Sequence, residues 1–334
     1  MTAFTAKSTA EQVAKHFSNA INSKSGTITF NWPLPQLALT IATVLVTGVT
    51  QGTLGAEVAL RISHHQPANL VLAGRSLSAL NITKSTIEAA NPVSVTLLEL
   101  DLASQASVRA AARTANSYPF TIDVLINNAG IMAVPYTKTA EGLERQWATN
   151  HIGHFLFTNL IMPKLRASRS TARIVNVSSA GHKRSDIRWD DVGFGGGERY
   201  DKWAAYGQTK TANMLFSVAL AKLGGVESFS CYPGRVRTNL VNSIPLEELV
   251  AAGWLHPDGS LVEDPKLKWK TIPEGAATIV AAAFDPELAK ANGGYVVDSQ
   301  LANDEAALYA LDEKAAVRLW KLSEKIIGEK FLDA

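Results

Sequence analysis

The sequence predicts an α/β protein built on a doubly wound parallel sheet of about seven strands, with helices on both faces. Three observations predict it. From Val44 onward, short apolar runs of strand length alternate with segments whose apolar residues recur at helical spacing. The strand runs are almost continuously apolar, the pattern of strands covered on both sides. Between the first strand and the first helix stands a glycine-bearing turn, Thr47-Gly48-Val49-Thr50-Gln51-Gly52-Thr53-Leu54-Gly55. In such a sheet, ligands gather in the crevice at the carboxyl ends of the strands.

Taken in order, Glu11 to Ile21 has apolar residues at helical spacing and reads as a short leading helix. Ser25 to Ala42 follows, without charge and with Pro33 and Pro35 inside it. Ile28 to Val46 is long enough to raise a membrane span, but Asn31, the prolines and Gln36 interrupt it, and its end reads as a strand, so no span is expected. Strands are predicted at 43–47, 69–73, 93–99, 122–127, 172–178, 226–231 and 294–297. Helices are predicted near 53–65, 76–90, 104–117, 140–165, 203–223 and 273–284, with right-handed crossovers between parallel strands. Two long irregular stretches remain, His182 to Asp201 with Gly195-Gly196-Gly197, and Asn239 to Lys270. Loops of that size are usually functional. Residues 1–42 are thus a leading helix with an extra segment, and 43–334 are expected to form one domain.

Composition narrows the function. The 334 residues are 46% hydrophobic and carry a formal net charge of +2, without a long basic run, so no nucleic-acid partner is expected. The single cysteine, Cys231, excludes an internal disulfide framework and fits a reducing, cytoplasmic setting. No acidic or cysteine cluster accompanies the histidines, so no metal is expected.

The chemistry centres on Tyr206-Gly207-Gln208-Thr209-Lys210. A tyrosine and a lysine four apart share one helix face, and a cation beside a phenol favours phenolate. An ordinary amphipathic helix with a solvated lysine has the same spacing, so the pair needs partners. In the glycine turn, Gly48, Gly52, Leu54 and Gly55 are candidate cofactor residues, because glycines let backbone approach a pyrophosphate seated on a helix N-terminus. The second strand ends Ala73-Gly74-Arg75. A glycine stands where an acidic residue would hold an adenosine ribose, and the guanidinium after it favours a 2′-phosphate, hence NADP(H) over NAD(H). Asp101, ending the third strand, either meets the adenine or serves as a cap.

The glycine turn, Asp101-Leu102, Asn127-Asn128-Ala129-Gly130, Asn150, Ser178-Ser179 and Tyr206-x-x-x-Lys210 together resemble the short-chain dehydrogenases/reductases in order and spacing. Thr149 to Phe155, Arg173 to Ser179 and the long loop before the tyrosine are similar to the retinol-dehydrogenase-like branch. Gly293-Gly294-Tyr295 and Leu319 to Glu324 are more like its fungal members. The resemblance implies a Rossmann-type fold and a catalytic set of Asn150, Ser179, Tyr206 and Lys210. In that set Tyr206 is the acid/base, Lys210 lowers its pKa and holds the nicotinamide ribose, Ser179 polarises the substrate oxygen, and Asn150 supports a water-linked proton path. Asn127 to Gly130, including Asn128, lie beside the cofactor, and Pro233-Gly234 and Thr238 border the nicotinamide amide.

The expected activity is interconversion of a carbonyl and an alcohol. An alkoxide formed by hydride transfer needs hydrogen-bond donors and a nearby proton, and Ser179 and Tyr206 have both. The same fold using NAD(H), and a dinucleotide-binding regulator without turnover, stay open as alternatives. The expected partner is a small apolar carbonyl or alcohol, with a homodimer an open option. Trp189, Trp203 and Trp254 either pack or rim an apolar substrate mouth. His182 either lines that mouth or bonds locally.

Three features depart from the family's pattern. The glycine turn is one residue longer than its commonest form. Arg235 stands where an aliphatic residue is usual, free to disturb the amide contact, touch a polar substrate group or face solvent. Ser25 to Ala42 is an extra stretch expected at the amino end of the first strand, away from the chemistry.

Overall fold

A computed structural model describes residues 4–16, 42–264 and 267–331. Eight strands form the main sheet. They are β1 (Thr43–Thr47), β2 (Asn69–Gly74), β3 (Val95–Glu99), β4 (Val124–Asn127), β5 (Ala172–Val177), β6 (Val226–Tyr232), β9 (Tyr295–Val297) and β10 (Gln300–Leu301). Two further strands, β7 (Arg235–Val236) and β8 (Trp269–Lys270), pair separately. The main order is β10-β9-β6-β5-β4-β1-β2-β3, parallel throughout except between β9 and β10. The chain runs outward from β1 to β3, returns, and continues outward from β4, so its direction reverses between β1 and β4. That reversal opens the crevice at the strands' carboxyl ends.

Burial on both faces explains the apolar runs. Val44, Val46, Leu70, Leu72 and Ile126 enter one core, while Leu45, Val71, Ala73 and Leu125 enter the other. The count exceeds the expected seven because β10 folds back onto β9. Asp298 and Ser299 link them, both at positive φ (49° and 64°), as a two-residue hairpin of this twist requires. Without glycine or asparagine at the turn, this edge has no strong sequence signal.

Besides a short helix, Leu246–Ala251, inside the stretch expected to be irregular, the helices differ from expectation in two places. The stretch 140–165 is not one helix. Glu144 turns its carboxylate onto the N–H groups of Gln146 (2.8 Å) and Trp147 (2.7 Å), so helix starts only at Arg145. A π turn, Ala148–Ile152, then precedes Gly153–Leu160 and Met162–Arg166. The second correction is a helix absent from the expected set, Glu313–Ile327, capped by Asp312 and closed by Gly328 in the left-handed region. Its Trp320 meets Phe155 edge-on at 4.8 Å, and its Ser323 bonds His151 at 2.8 Å. It thereby covers the helices Gly153–Leu160 and Lys202–Leu223.

The leading helix spans Ala10–His16 and packs on Ile272–Phe284. Glu11 ties it to Arg61 (3.5 Å) of the helix Leu54–Ser63 and to His64 (3.2 Å) at that helix's C-cap. Its expected continuation to Ile21, and the extra stretch from Ser25 as far as residue 41, lie outside the described residues.

Gly153 sets one close approach. A Cβ there would sit 2.3 Å from the Leu102 carbonyl oxygen, and backbone cannot rotate away as a side chain can. Gly153→Ala is expected to cost about 1–3 kcal/mol, the usual range for overpacking, read as a lower urea midpoint at unchanged m. A shift below about 0.5 kcal/mol would show that helix and strand end part easily.

Candidate active site

The carboxyl ends of β1, β2, β4, β5 and β6 surround a cleft of about 450 Å³. Its floor is two turns locked together. Gly48 has φ +73°, and a Cβ there would come within 2.7 Å of Ala129 Cα. Thr47 Oγ1 accepts from the N–H groups of Asn128 and Ala129, each at 3.0 Å. The Asn128 amide returns donors to the carbonyls of Thr47 (2.9 Å) and Gly48 (3.1 Å). Asn127 instead bonds Thr158 and Asn176 inside the sheet. Gly55 does not line the cleft; a Cβ there would strike the Asn128 amide at 2.5 Å, so its role is close packing. Gly52, at φ +79°, also stays off the wall and shapes the turn. Leu54 opens the helix behind Thr53 and does line the cleft. The first N–H groups of such a helix have no intrahelical acceptor, which suits an anion.

At one end of the cleft lie Gly74, Arg75 and Asp101. Arg75 is exposed and makes no ion pair or side-chain hydrogen bond among the described residues. Asp101 lies past the end of β3 and spends one carboxylate oxygen on the N–H of Ala103 at 3.0 Å. It therefore caps a turn while also facing the cleft.

Tyr206, Lys210 and Ser179 meet at the other end. The helix Lys202–Leu223 starts at an Asp201 cap and is buried from Ala205 to Leu220, which places Tyr206 and Lys210 on an inward face. Lys210 Nζ lies 5.5 Å from the centre of the Tyr206 ring. It donates to the Val177 carbonyl at 3.0 Å, as does the Asn213 amide at 3.0 Å. Ser179 Oγ accepts from the Gly181 N–H at 3.0 Å. A Cβ on Gly181 would meet Tyr206 Cε1 at 2.9 Å and Ser179 Oγ at 3.4 Å, so this glycine lets serine and tyrosine converge.

The electrostatics differ from expectation. Burial pushes the Tyr206 phenol up to about 12, opposed by the nearby Ser179 hydroxyl and aided by Tyr232. Burial also pulls Lys210 down to about 8. Loss of water around the phenol dominates, and the group that opposes it is the Ser179 hydroxyl rather than the expected Lys210.

Asn150 lies in the π turn, fully buried and off the cleft wall. Its amide grips Ile131 from both sides, accepting from the N–H and donating to the carbonyl, each at 2.9 Å. It also donates to Thr209 at 3.0 Å. Its own carbonyl faces His154 Nδ1 at 3.1 Å, and Thr47 sits 3.0 Å from the other ring nitrogen. Burial lowers His154 to about 4, so this ring is neutral.

Pro233, Gly234 and Thr238 border the cleft. Arg235 is half-buried, and its guanidinium stacks over Trp254 at 4.9 Å and Trp269 at 5.5 Å. Trp203 and Trp254 pack with Met132, Ile244 and Leu249 beside Tyr206. Trp189 is turned elsewhere, under Arg318 at 4.4 Å. The sequence reading missed Tyr232, which lines the cleft near Tyr206; its place before Pro233-Gly234 at a strand end was the available signal. Among the described residues, no group of three His, Cys, Asp or Glu is placed to hold a metal, and no helix is long and apolar enough to cross a membrane.

Comparison with known proteins places this geometry in context. A family model described as short chain dehydrogenase matches residues 42–190. The chain is 34% identical over 298 residues to short-chain dehydrogenase TIC 32 A, chloroplastic, of Brassica napus, covering 85% of this chain and 88% of that one. It is 41% identical over 236 residues to retinol dehydrogenase 14 of Homo sapiens, covering 69% and 66%. Short-chain dehydrogenase/reductase prx1 of Penicillium rubens is 37% identical over 256 residues, covering 72% of each. Among solved structures, an uncharacterized protein from Mycobacterium Paratuberculosis matches with a TM-score of 0.66 and 31% identity, over 87% of this chain and 94% of that one. An NADPH-bound carbonyl reductase from chicken fatty liver shares the fold, at TM-score 0.56 and 20% identity, over 78% and 97%.

Proposed function

The chain belongs to the short-chain dehydrogenase family, and from that premise we propose that it is an NADP(H)-dependent oxidoreductase interconverting a ketone or aldehyde with the corresponding alcohol. The observation that carries this reading is the convergence of the Tyr206 phenol and the Ser179 hydroxyl about Gly181, in one cleft with Lys210. When bound, the nicotinamide supplies or accepts the hydride.

The residues present fit such a cofactor. Lys210 has three donors and spends one of them on a protein acceptor, so its remaining N–H groups suit ribose hydroxyls. Gly48 and the open end of the helix Leu54–Ser63 suit a pyrophosphate. Arg75, with Gly74 before it, suits a 2′-phosphate. In carbonyl reduction, Tyr206 donates its proton to the substrate oxygen as that oxygen gains the carbonyl's electron pair, and Ser179 donates a hydrogen bond to the same atom. In alcohol oxidation the proton returns to Tyr206. Asn150 acts by holding Ile131, and with it the cleft wall beside Lys210. Apolar Met132 and Leu240 beside Tyr206 favour an apolar substrate.

A panel of ketones and aldehydes assayed with NADPH and with NADH tests the activity; no turnover with either cofactor across the panel would sink it. Arg75→Ala is expected to weaken NADPH binding by about 1.5–3 kcal/mol, roughly ten- to a hundredfold, and to leave NADH binding little changed. Titration of cofactor fluorescence reads both constants. Equal weakening of the two would mean that Arg75 does not read the phosphate.

A further inference from the structure

His182 is fully buried although it lies three residues past Ser179. It does not line the cleft, and both ring nitrogens are engaged. Nδ1 is 2.7 Å from the Ser179 carbonyl, a group that only accepts, so Nδ1 carries the proton. Nε2 is 3.1 Å from the Ala307 N–H, a group that only donates, so Nε2 is bare. Two partners of opposite character thus hold the ring neutral and in one tautomer. The His182 carbonyl in turn accepts from the Tyr309 hydroxyl at 2.8 Å and from Thr211 Oγ1 at 3.2 Å. Tyr295 meets the ring edge-on at 5.3 Å.

Ala307 and Tyr309 belong to the run 302–311 that follows β10, and no residue of that run reaches the cleft. Its link to the chemistry is His182. Ser179, Gly181 and His182 share one tight turn, in which Gly181 N–H orients the serine hydroxyl. Rotating that turn would swing the hydroxyl away from Tyr206, and misplacements of about 1 Å can cost on the order of a hundredfold in rate.

The geometry points to His182 as a positioning residue: it clamps the Ser179 turn so that the hydroxyl faces the substrate oxygen, and it is itself held by the segment 302–311. This rests on the role given to Ser179 above. It extends the working site to a segment that touches neither substrate nor cofactor. Protonation of the ring would set a second N–H against that of Ala307 and release the clamp. Burial resists this, Lys183 on the same turn resists it too, and the Ser179 carbonyl favours it. From the other elements packed around it, the titratable groups that face the ring and its carbonyl among the described residues are the phenols Tyr295 and Tyr309, which have Glu305 and Asp186 as charged neighbours.

Two replacements separate the ring's halves. In His182→Asn the amide can donate to the Ser179 carbonyl but cannot reach Ala307; in His182→Gln it can reach Ala307 but not that carbonyl. Steady-state kinetics, NADPH titration and thermal melts are run on both, with Ser179→Ala alongside. His182→Gln is expected to lower kcat at least tenfold, with KM and NADPH affinity within about twofold. His182→Asn, which keeps the Ser179 bond and loses the Ala307 one, is expected to lower kcat severalfold and to lose the acid limb of the kcat–pH profile. A folded His182→Gln turning over within twofold of wild type overturns the proposal, as does an equal kcat for the two variants. Should both fail to fold, Tyr309→Phe removes only the hydroxyl on the His182 carbonyl; a severalfold fall in kcat at constant KM supports the clamp, and unchanged kcat overturns it. Undiminished turnover in Ser179→Ala would remove the premise and the clamp together. Loss there, with His182→Gln unharmed, removes the clamp alone.

Discussion

Tyr206→Phe is expected to leave NADPH binding nearly intact and to lower turnover by about a hundredfold or more, the usual range for lost acid/base help. The exchange removes one hydroxyl from a ring that is 5% exposed, so packing and the cofactor turn survive. The pH dependence gives a sharper check. With burial holding the phenol up to about 12, the protonated form dominates at neutral pH. Carbonyl reduction, which needs the proton, should therefore stay flat well into the alkaline range. Alcohol oxidation, which needs the phenolate, should rise with pH throughout, and in the variant that rise should vanish. A variant keeping more than half the wild-type turnover would take Tyr206 out of the mechanism.

Lys210→Met is expected to abolish most turnover while making the cofactor-free protein more stable. The ammonium is desolvated, and its pKa falls from 10.5 to about 8. Below pH 8 both folded and unfolded chains carry the charge, and the fold bears the full penalty, on the order of 3 kcal/mol at most. Between 8 and 10.5 the folded lysine is neutral while the unfolded one still binds a proton, so wild-type stability climbs. Above 10.5 no penalty remains. Methionine fills a similar volume, and the Val177 carbonyl keeps its bond from Asn213, so no acceptor is orphaned. The advantage of the variant should be large at pH 7 and fade by pH 10, as read by thermal melts. An equal shift at both pH values would show that charge is not its origin.

How far the molecule was legible follows from where its signals lie. Strands such as β1, with Val44-Leu45-Val46, and β5, with Ile174-Val175, have apolar middles because both faces are covered, so their existence and order could be read directly. β7, β8 and β10 are two residues long and have no period to detect. The helix Glu313–Ile327 did carry helical spacing, in Ala316, Leu319, Trp320 and Ser323, but its many charges masked an apolar stripe this narrow. At the site, the four-residue spacing was enough to bring Tyr206 and Lys210 together. It could not give the direction of the tyrosine's pKa, which depends on burial contributed by Ile244 and Leu249 from a distant loop. Arg235 was ambiguous for the same reason, since Trp254 and Trp269 reach it from 19 and 34 positions along the chain.

The docking of the leading helix on Ile272–Phe284 has a consequence for how the protein is born. Lys7, just before that helix, bonds the carbonyl of Trp269, a partner 262 residues later. At ribosomal speeds of about 5–20 residues per second, that partner arrives roughly 13 to 50 seconds after the lysine has been made. Throughout that interval Val13 and Ala14, which end with no exposed surface, lack the cover of the helix Ile272–Phe284. The edge of β6 is open for a shorter time, until β9 is made after that helix. An unpaired strand edge beside bare apolar surface invites pairing with a neighbouring nascent chain. The protein is thus built to finish late, and its yield in a cell depends on holding the early helix and that edge out of trouble until the last strands emerge.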